Sequence, residues 1–223
     1  MNIINFDNEF DFNAGIVELI NDVSKSAIEK RGLFQIVLCG GTTPVSVYKL
    51  LRSLKTEWHC WQFWLCDERI PSSTFTDLNR YMIENELLNY IPVEKKQIHF
   101  MAIDSAIEIA VEQYEAELHS VAFFDLCLLG IGEDGHTASL FPGNDCGENE
   151  NAKNVLAVFD SPKPPKQRIS LSAKRLSLSE VVLFITSGKE KKSIIDRVMK
   201  GENLPCNLVK GKEKTLLFYT EKK

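Results

Sequence analysis

Apolar positions along the chain fall into two alternating patterns. Residues 9–31 place Phe12, Ile16, Leu19, Ile20, Val23 and Ala27 at helical spacing with charged residues between them, and Gly32 follows as a C-cap. A short continuous apolar run comes next, Phe34 to Cys39, with the length and branching of a buried strand. The alternation then repeats. A helix is expected from Val45 to Leu54 with Thr43 at its cap and Pro44 in first position, then a strand from Cys60 to Cys66. A polar loop, Ser72–Thr76, leads to a helix near Asp77–Asn89, a short strand at Ile98–Phe100 and a helix over Asp104–Ser120. Later strands are expected at Val155–Phe159, Arg168–Ser172, Val181–Thr186 and Leu216–Tyr219, with a helix over Lys189–Met199. Strands that are apolar throughout belong to parallel sheets covered on both faces. The pattern predicts an α/β, doubly wound fold with a mostly parallel sheet and helices on both faces.

One stretch, Phe124 to Gly143, reads FDLCLLGIGEDGHTASLFPG. Its first half is a buried strand. Its second half is a glycine-rich turn that presents Asp134 and His136 before a short helix is expected to begin. Open α/β sheets expose their chemistry in this way, at the carboxyl ends of their strands.

Composition narrows the classes. A chain of 223 residues is the size of a single α/β domain, here taken as residues 1–223, and can bury a sizeable core. A formal net charge of −5 gives no support to nucleic-acid binding, so an anionic ligand must be met by a local cluster of cations and backbone amides. The first residues, MNIINFDNEF, have no basic region, and no apolar run approaches the length of about 20 that spans a membrane. A cytoplasmic protein is expected. The six cysteines form no CxxC pair and no zinc spacing with histidine; Cys39, Cys66 and Cys127 fall in strands and read as small buried hydrophobes.

The candidate chemistry lies at strand ends. Gly40-Gly41-Thr42-Thr43-Pro44 is two glycines and two hydroxyls at a helix start, where free amides and the helix dipole suit a phosphate, although an ordinary capped turn explains Thr43 equally well. Asp67-Glu68-Arg69 reads either as a solvated loop or as an arginine for an anion, steadied by an acid. Arg168 follows a segment, Ser161–Lys166, that three prolines hold extended, and Lys191 opposes the dipole at a helix start. His136 reads as a general base oriented by Asp134. Ser139 lacks the elbow motif of a nucleophilic serine. His59, His99 and His119 read as structural.

These residues resemble the 6-phosphogluconolactonases, which share a Rossmann-like fold with glucosamine-6-phosphate deaminases. The resemblance rests on Gly40–Pro44, Asp67–Arg69 with Asn79, Gly130–Gly143, Ser161–Leu171 and Gly188 with Lys191, in that order along nearly the whole chain. It implies hydrolysis of a sugar-phosphate δ-lactone without metal or organic cofactor. His136 would activate water and Asp134 would orient it. Arg69, Arg168 and Lys191 would hold the phosphate and substrate oxygens, and the amides of Gly40, Gly41, Thr42 and Thr43 would close the anion site. A deaminase of this fold would carry an acid near its proline-glycine; here Phe141 stands before Pro142. A deaminase or isomerase, and a non-catalytic sugar-phosphate sensor, are the competing readings.

Overall fold

The structure is a computed structural model and describes residues 1–70 and 78–221. The polar loop expected at Ser72–Thr76 and the start of the helix expected at Asp77 lie outside the described residues.

The first strand, β1 (Asn2–Phe6), leads into α1 (Glu9–Arg31). Asn8 caps α1 through its side chain, accepting from the Asp11 amide at 2.9 Å, and Gly32 ends it in the left-handed region at φ 68°. Next come β2 (Phe34–Leu38), α2 (Pro44–Leu51), β3 (Trp61–Leu65) and a short β4 (Asp67–Arg69). They are followed by α3 (Asn79–Glu86), β5 (Ile98–His99), α4 (Ile107–Leu118) and β6 (Phe124–Gly130). The remainder is β7 (Val155–Val158), β8 (Arg168–Leu171), α5 (Ala173–Ser177), β9 (Ser179–Ser187), α6 (Lys192–Met199), α7 (Pro205–Leu208) and β10 (Lys214–Thr220).

Seven strands form one sheet in the order β1-β10-β9-β6-β2-β3-β5, and every neighbouring pair is parallel. In β6, Phe124 through Leu129 are all buried, so both faces of the sheet are covered there. From β2 the chain winds one way through β3 to β5. It then returns to β6 on the other side of β2 and winds the opposite way through β9 to β10. The reversal lies between β2 and β6, and the crevice outside the carboxyl ends of those two strands is where a fold of this kind places its ligand.

A second sheet corrects the sequence reading. Asp67-Glu68-Arg69 is not a solvated loop: it is β4, antiparallel to β8, which pairs in turn with β7. Asp67 and Glu68 are buried. The small sheet hangs from the carboxyl end of β3, where the Leu171 amide donates to the Cys66 carbonyl at 2.8 Å. Its arginines therefore stand over the crevice. Two further expectations change. No helix follows the glycine turn; Thr137 and Leu140 instead form an isolated antiparallel bridge, with Ala138 at φ 49° between them. The segment expected to form one helix from Lys189 starts as a 3-10 turn, Lys189–Lys191, and becomes α-helical only at Lys192.

Candidate active site

At the switch point lies a cleft of about 370 Å³. Gly40, Gly41, Thr42 and Thr43 line it from the end of β2, Gly130 through Gly132 and His136 from the end of β6, and Ser187 and Lys191 from the end of β9. Arg69 and Arg168 line it from the small sheet. Asp134 does not reach the cleft wall but touches the residue that does. Every residue singled out from the sequence thus lies on this cleft or one contact behind it.

His136 is braced by its own turn. Its Nδ1–H donates to Asp134 Oδ1 at 2.5 Å, and the same oxygen accepts the His136 backbone N–H at 3.1 Å. This contact places the proton on Nδ1 and leaves the lone pair on Nε2. Partial burial raises the Asp134 carboxyl. The His136 amide and ring outweigh that effect and hold the group below its ordinary value, so it remains an anionic partner. The Phe141 ring lies 5.0 Å from the imidazole, and the Arg168 guanidinium lies 5.8 Å from the centre of the same Phe141 ring.

α2 starts where the sequence places it, with Thr43 at its cap and Pro44 in first position, but Thr43 does not cap it through its side chain. Thr43 has helical φ and ψ. Its hydroxyl lies 3.4 Å from that of Ser187 across the crevice. The N-terminal amides of α2 are therefore not taken up by this hydroxyl, which suits an anion cradle better than a self-capped turn.

Arg69 and Arg168 are register partners across β4 and β8. Like charges directly opposite each other destabilise a sheet, so the pairing points to an anion that both can meet. Buried Asp67 lies beside them. It accepts from Ser139 Oγ at 2.5 Å and from Asn79 Nδ2 at 3.0 Å. Burial lowers the proton affinity of Arg168 most, Asp67 opposes the fall, and Arg69 adds to it. Arg168 also serves the backbone: Nε donates to the Pro165 carbonyl at 3.3 Å, and Nη2 to those of Lys163 at 3.1 Å and Pro164 at 3.4 Å. Lys191 Nζ donates to the Ile131 carbonyl at 3.1 Å, beside the glycine turn.

Lys163 and Ser187, which carry no role in the sequence reading, also line the cleft, as does Asp67, one of the two acids expected to steady Arg69. Asp67 is not distinguished from Glu68 within a charged triplet that reads equally as a loop, and Lys163 lies in a segment whose prolines and Arg168 carry the sequence signal. Rival nucleophiles are closed off. Cys39 and Cys66 lie on the cleft floor, but burial pushes the Cys39 thiol up to about 12 and raises Cys66 as well. The Ser139 hydroxyl is committed to Asp67. Among the described residues, no group of three or more His, Cys, Asp or Glu could hold a metal ion, and no helix is long and apolar enough to cross a membrane.

Residues 7–218 match the family described as glucosamine-6-phosphate isomerases/6-phosphogluconolactonase. The chain belongs to that family. It is 35% identical over 205 residues to a 6-phosphogluconolactonase of Thermotoga maritima, covering 91% of both chains. It is 30% identical over 235 residues to one of Rattus norvegicus, covering 97% of this chain and 89% of that one. The crystal structure of the Thermotoga maritima protein matches with a TM-score of 0.91 at 32% identity, covering 98% of this chain and 99% of that one. A monomeric glucosamine-6-phosphate deaminase, 17% identical, matches with a TM-score of 0.83 over 99% of this chain and 97% of that one. Members with either name share the fold, so the choice of reaction rests on the site.

Proposed function

We propose that this family member is a carboxylic ester hydrolase that opens 6-phospho-D-glucono-1,5-lactone to 6-phosphogluconate, a step of the oxidative pentose phosphate pathway. One observation carries the choice within the family. The His136 imidazole is braced by Asp134, and its other neighbour is the Phe141 ring rather than a second carboxylate. That arrangement supplies a base for water and, among the described residues, sets no second carboxylate against the imidazole, where ring opening of an amino sugar would use one.

In this reading His136 Nε2 takes a proton from water as the water oxygen attacks the lactone carbonyl. Amides of the Gly40–Thr43 turn stabilise the developing oxyanion, an effect worth a few kcal/mol where the donors are fixed in advance (about 2.7–4 for one donor). Collapse of the tetrahedral species expels the ring oxygen, which takes the proton back from the imidazolium. The products are a hydroxyl and a carboxylic acid, which releases its proton to solvent and leaves as the carboxylate. Arg69, Arg168 and Lys191 hold the phosphate and substrate oxygens, so the lactone carbon is positioned by a group remote from the chemistry. All six cysteines are free, which fits a reducing compartment, and the proposed location is the cytoplasm.

The test offers the purified chain both the lactone and glucosamine 6-phosphate. Lactone hydrolysis well above the spontaneous rate is expected, with no ammonia released from the amino sugar. His136→Ala should lower kcat by about 10²–10⁴ and leave binding of 6-phosphogluconate close to wild type. Deamination without lactone hydrolysis overturns the reading in favour of the deaminase. Binding without turnover in the wild type overturns it in favour of a sensor.

A further inference from the structure

The segment Ser161–Lys166 is tied down more closely than an exposed loop needs to be. The Ser161 amide donates to the Lys166 carbonyl at 3.1 Å and closes the loop. The Lys163 amide donates to Ser161 Oγ at 3.4 Å, and the Lys163 carbonyl accepts from Ser161 Oγ at 2.8 Å and from Arg168 Nη2 at 3.1 Å. Prolines at 162, 164 and 165 restrict the backbone on both sides. The backbone of Lys163 is thus fixed at both its polar groups. Its side chain is exposed and lines the cleft, and its ammonium makes no ion pair or hydrogen bond among the described residues. The nearby acid Asp160 is engaged with Asn144 Nδ2 at 3.0 Å.

Arg168 sharpens the point. Of its five N–H donors, those on Nε and Nη2 are directed at the three carbonyls of this segment, which leaves Nη1 for a ligand. Arg168 therefore offers one nitrogen to an anion and devotes the others to the loop. A buried cation spent on fixing an exposed lysine is poorly explained by stability, because the lysine gains no partner within the protein.

We propose that Lys163 is a further substrate-binding cation of this site, carried to the cleft by the proline segment that Arg168 holds, and that it takes an anionic oxygen of the sugar phosphate. Two sources present such an oxygen: the phosphoryl group, and the carboxylate formed as the lactone opens. A compact ammonium on a flexible stem suits either, since it asks for charge rather than for a planar fork. Arg168 acts on this contact as a positioning residue, in addition to any contact of its own.

This inference rests on the lactonase reading, and its test is a binding measurement so that the two can fail separately. Calorimetric titration of the full chain with 6-phosphogluconate, inorganic phosphate and gluconate is compared for wild type, Lys163→Met, Lys163→Arg and the exposed neighbour Lys166→Met. Lys163→Met should weaken 6-phosphogluconate by about tenfold, the loss of one charge-assisted contact, while Lys163→Arg restores most of it and Lys166→Met binds as wild type. A matching loss on inorganic phosphate assigns Lys163 to the phosphoryl group; a loss on gluconate assigns it to the carboxylate. Wild-type affinity of Lys163→Met for all three ligands overturns the proposal. Absence of lactone hydrolysis by the wild type overturns the reaction instead, and the phosphate titration still reads Lys163.

Discussion

A methyl group added at Gly132 would have no room. An ideal Cβ there falls 2.0 Å from His136 Cε1, 2.1 Å from Nδ1 and 2.8 Å from Asp134 Oδ1. The backbone of residue 132 is the wall against which the imidazole rests. Gly132→Ala must therefore swing the ring away from Asp134, undoing both its aim and its tautomer. The expected result is a fall in kcat of about 100-fold, as for other displacements of a reacting group by roughly an ångström, with little change in KM or in the midpoint of unfolding. Steady-state kinetics beside a urea melt checks it, and an unaltered kcat would show that the ring does not need its present position. Asp134 and His136 were legible in the sequence because their contact is local, two residues apart in one turn. Asp67 was not, because the groups that satisfy it, Asn79 and Ser139, lie 12 and 72 positions away. Spacing along a chain carries no record of partners brought together by a crossover.

At the scale of elements, the same limit hid the small sheet. Asp67-Glu68-Arg69 has the composition of a loop, and it becomes a strand only because its charges find buried partners. Glu68, fully buried, accepts the Arg69 and Asn79 amides on Oε1 at 2.9 and 2.8 Å and the Arg80 amide on Oε2 at 2.7 Å. One carboxyl thereby joins β4 to the first turn of α3. Desolvation nevertheless dominates those three amides and, with a smaller contribution from Asp67, pushes the group from 4.5 to about 7. Between these two values the folded chain binds more protons than the unfolded one. The stability that this proton contributes is complete below about pH 4.5, declines as pH rises and is lost above about 7. Wild type should lose on the order of 2–3 kcal/mol more than Glu68→Gln between pH 5 and pH 8, measured by urea denaturation, because the amide side chain does not titrate. Parallel pH dependence of the two proteins would show that Glu68 is ionised throughout. By contrast, α1 and the strands of the main sheet were readable nearly to their ends, since their apolar spacing is the cause of their burial. The edge strand β1 was missed for the converse reason: its side chains are half-buried or exposed, so no pattern marks them.

Across the whole molecule, the order β1-β10-β9-β6-β2-β3-β5 puts the cleft on the seam between two halves of the sheet. The β2 side contributes the Gly40–Thr43 turn, while the β6 and β9 side contributes His136, Ser187 and Lys191. The seam is not a boundary in the core. A single cluster of buried residues runs from Trp61 and Phe63 through Phe34 and Leu128 to Phe184 and Leu217. β6 joins the halves with residues such as Leu126 and Leu128 that are wholly buried. Tertiary packing of this kind favours unfolding as one unit, and the chain supplies two independent reporters of it. Trp58, Trp61 and Trp64 all lie in or next to β3 and report on one half. Binding of 6-phosphogluconate requires residues from both. Tryptophan fluorescence and ligand binding followed through the same denaturant series should give coincident transitions, the signature of one cooperative domain over residues 1–223. Binding lost at lower denaturant than the tryptophan signal would instead mean that the β6-β9-β10 half parts from a still-folded β2-β3-β5 half. Leu128→Ala separates these outcomes further. Removing that side chain costs about 2–5 kcal/mol at a buried site that cannot relax. In a single unit it shifts both transitions together by the same amount; in a divided one it moves the loss of binding and leaves the tryptophan transition in place.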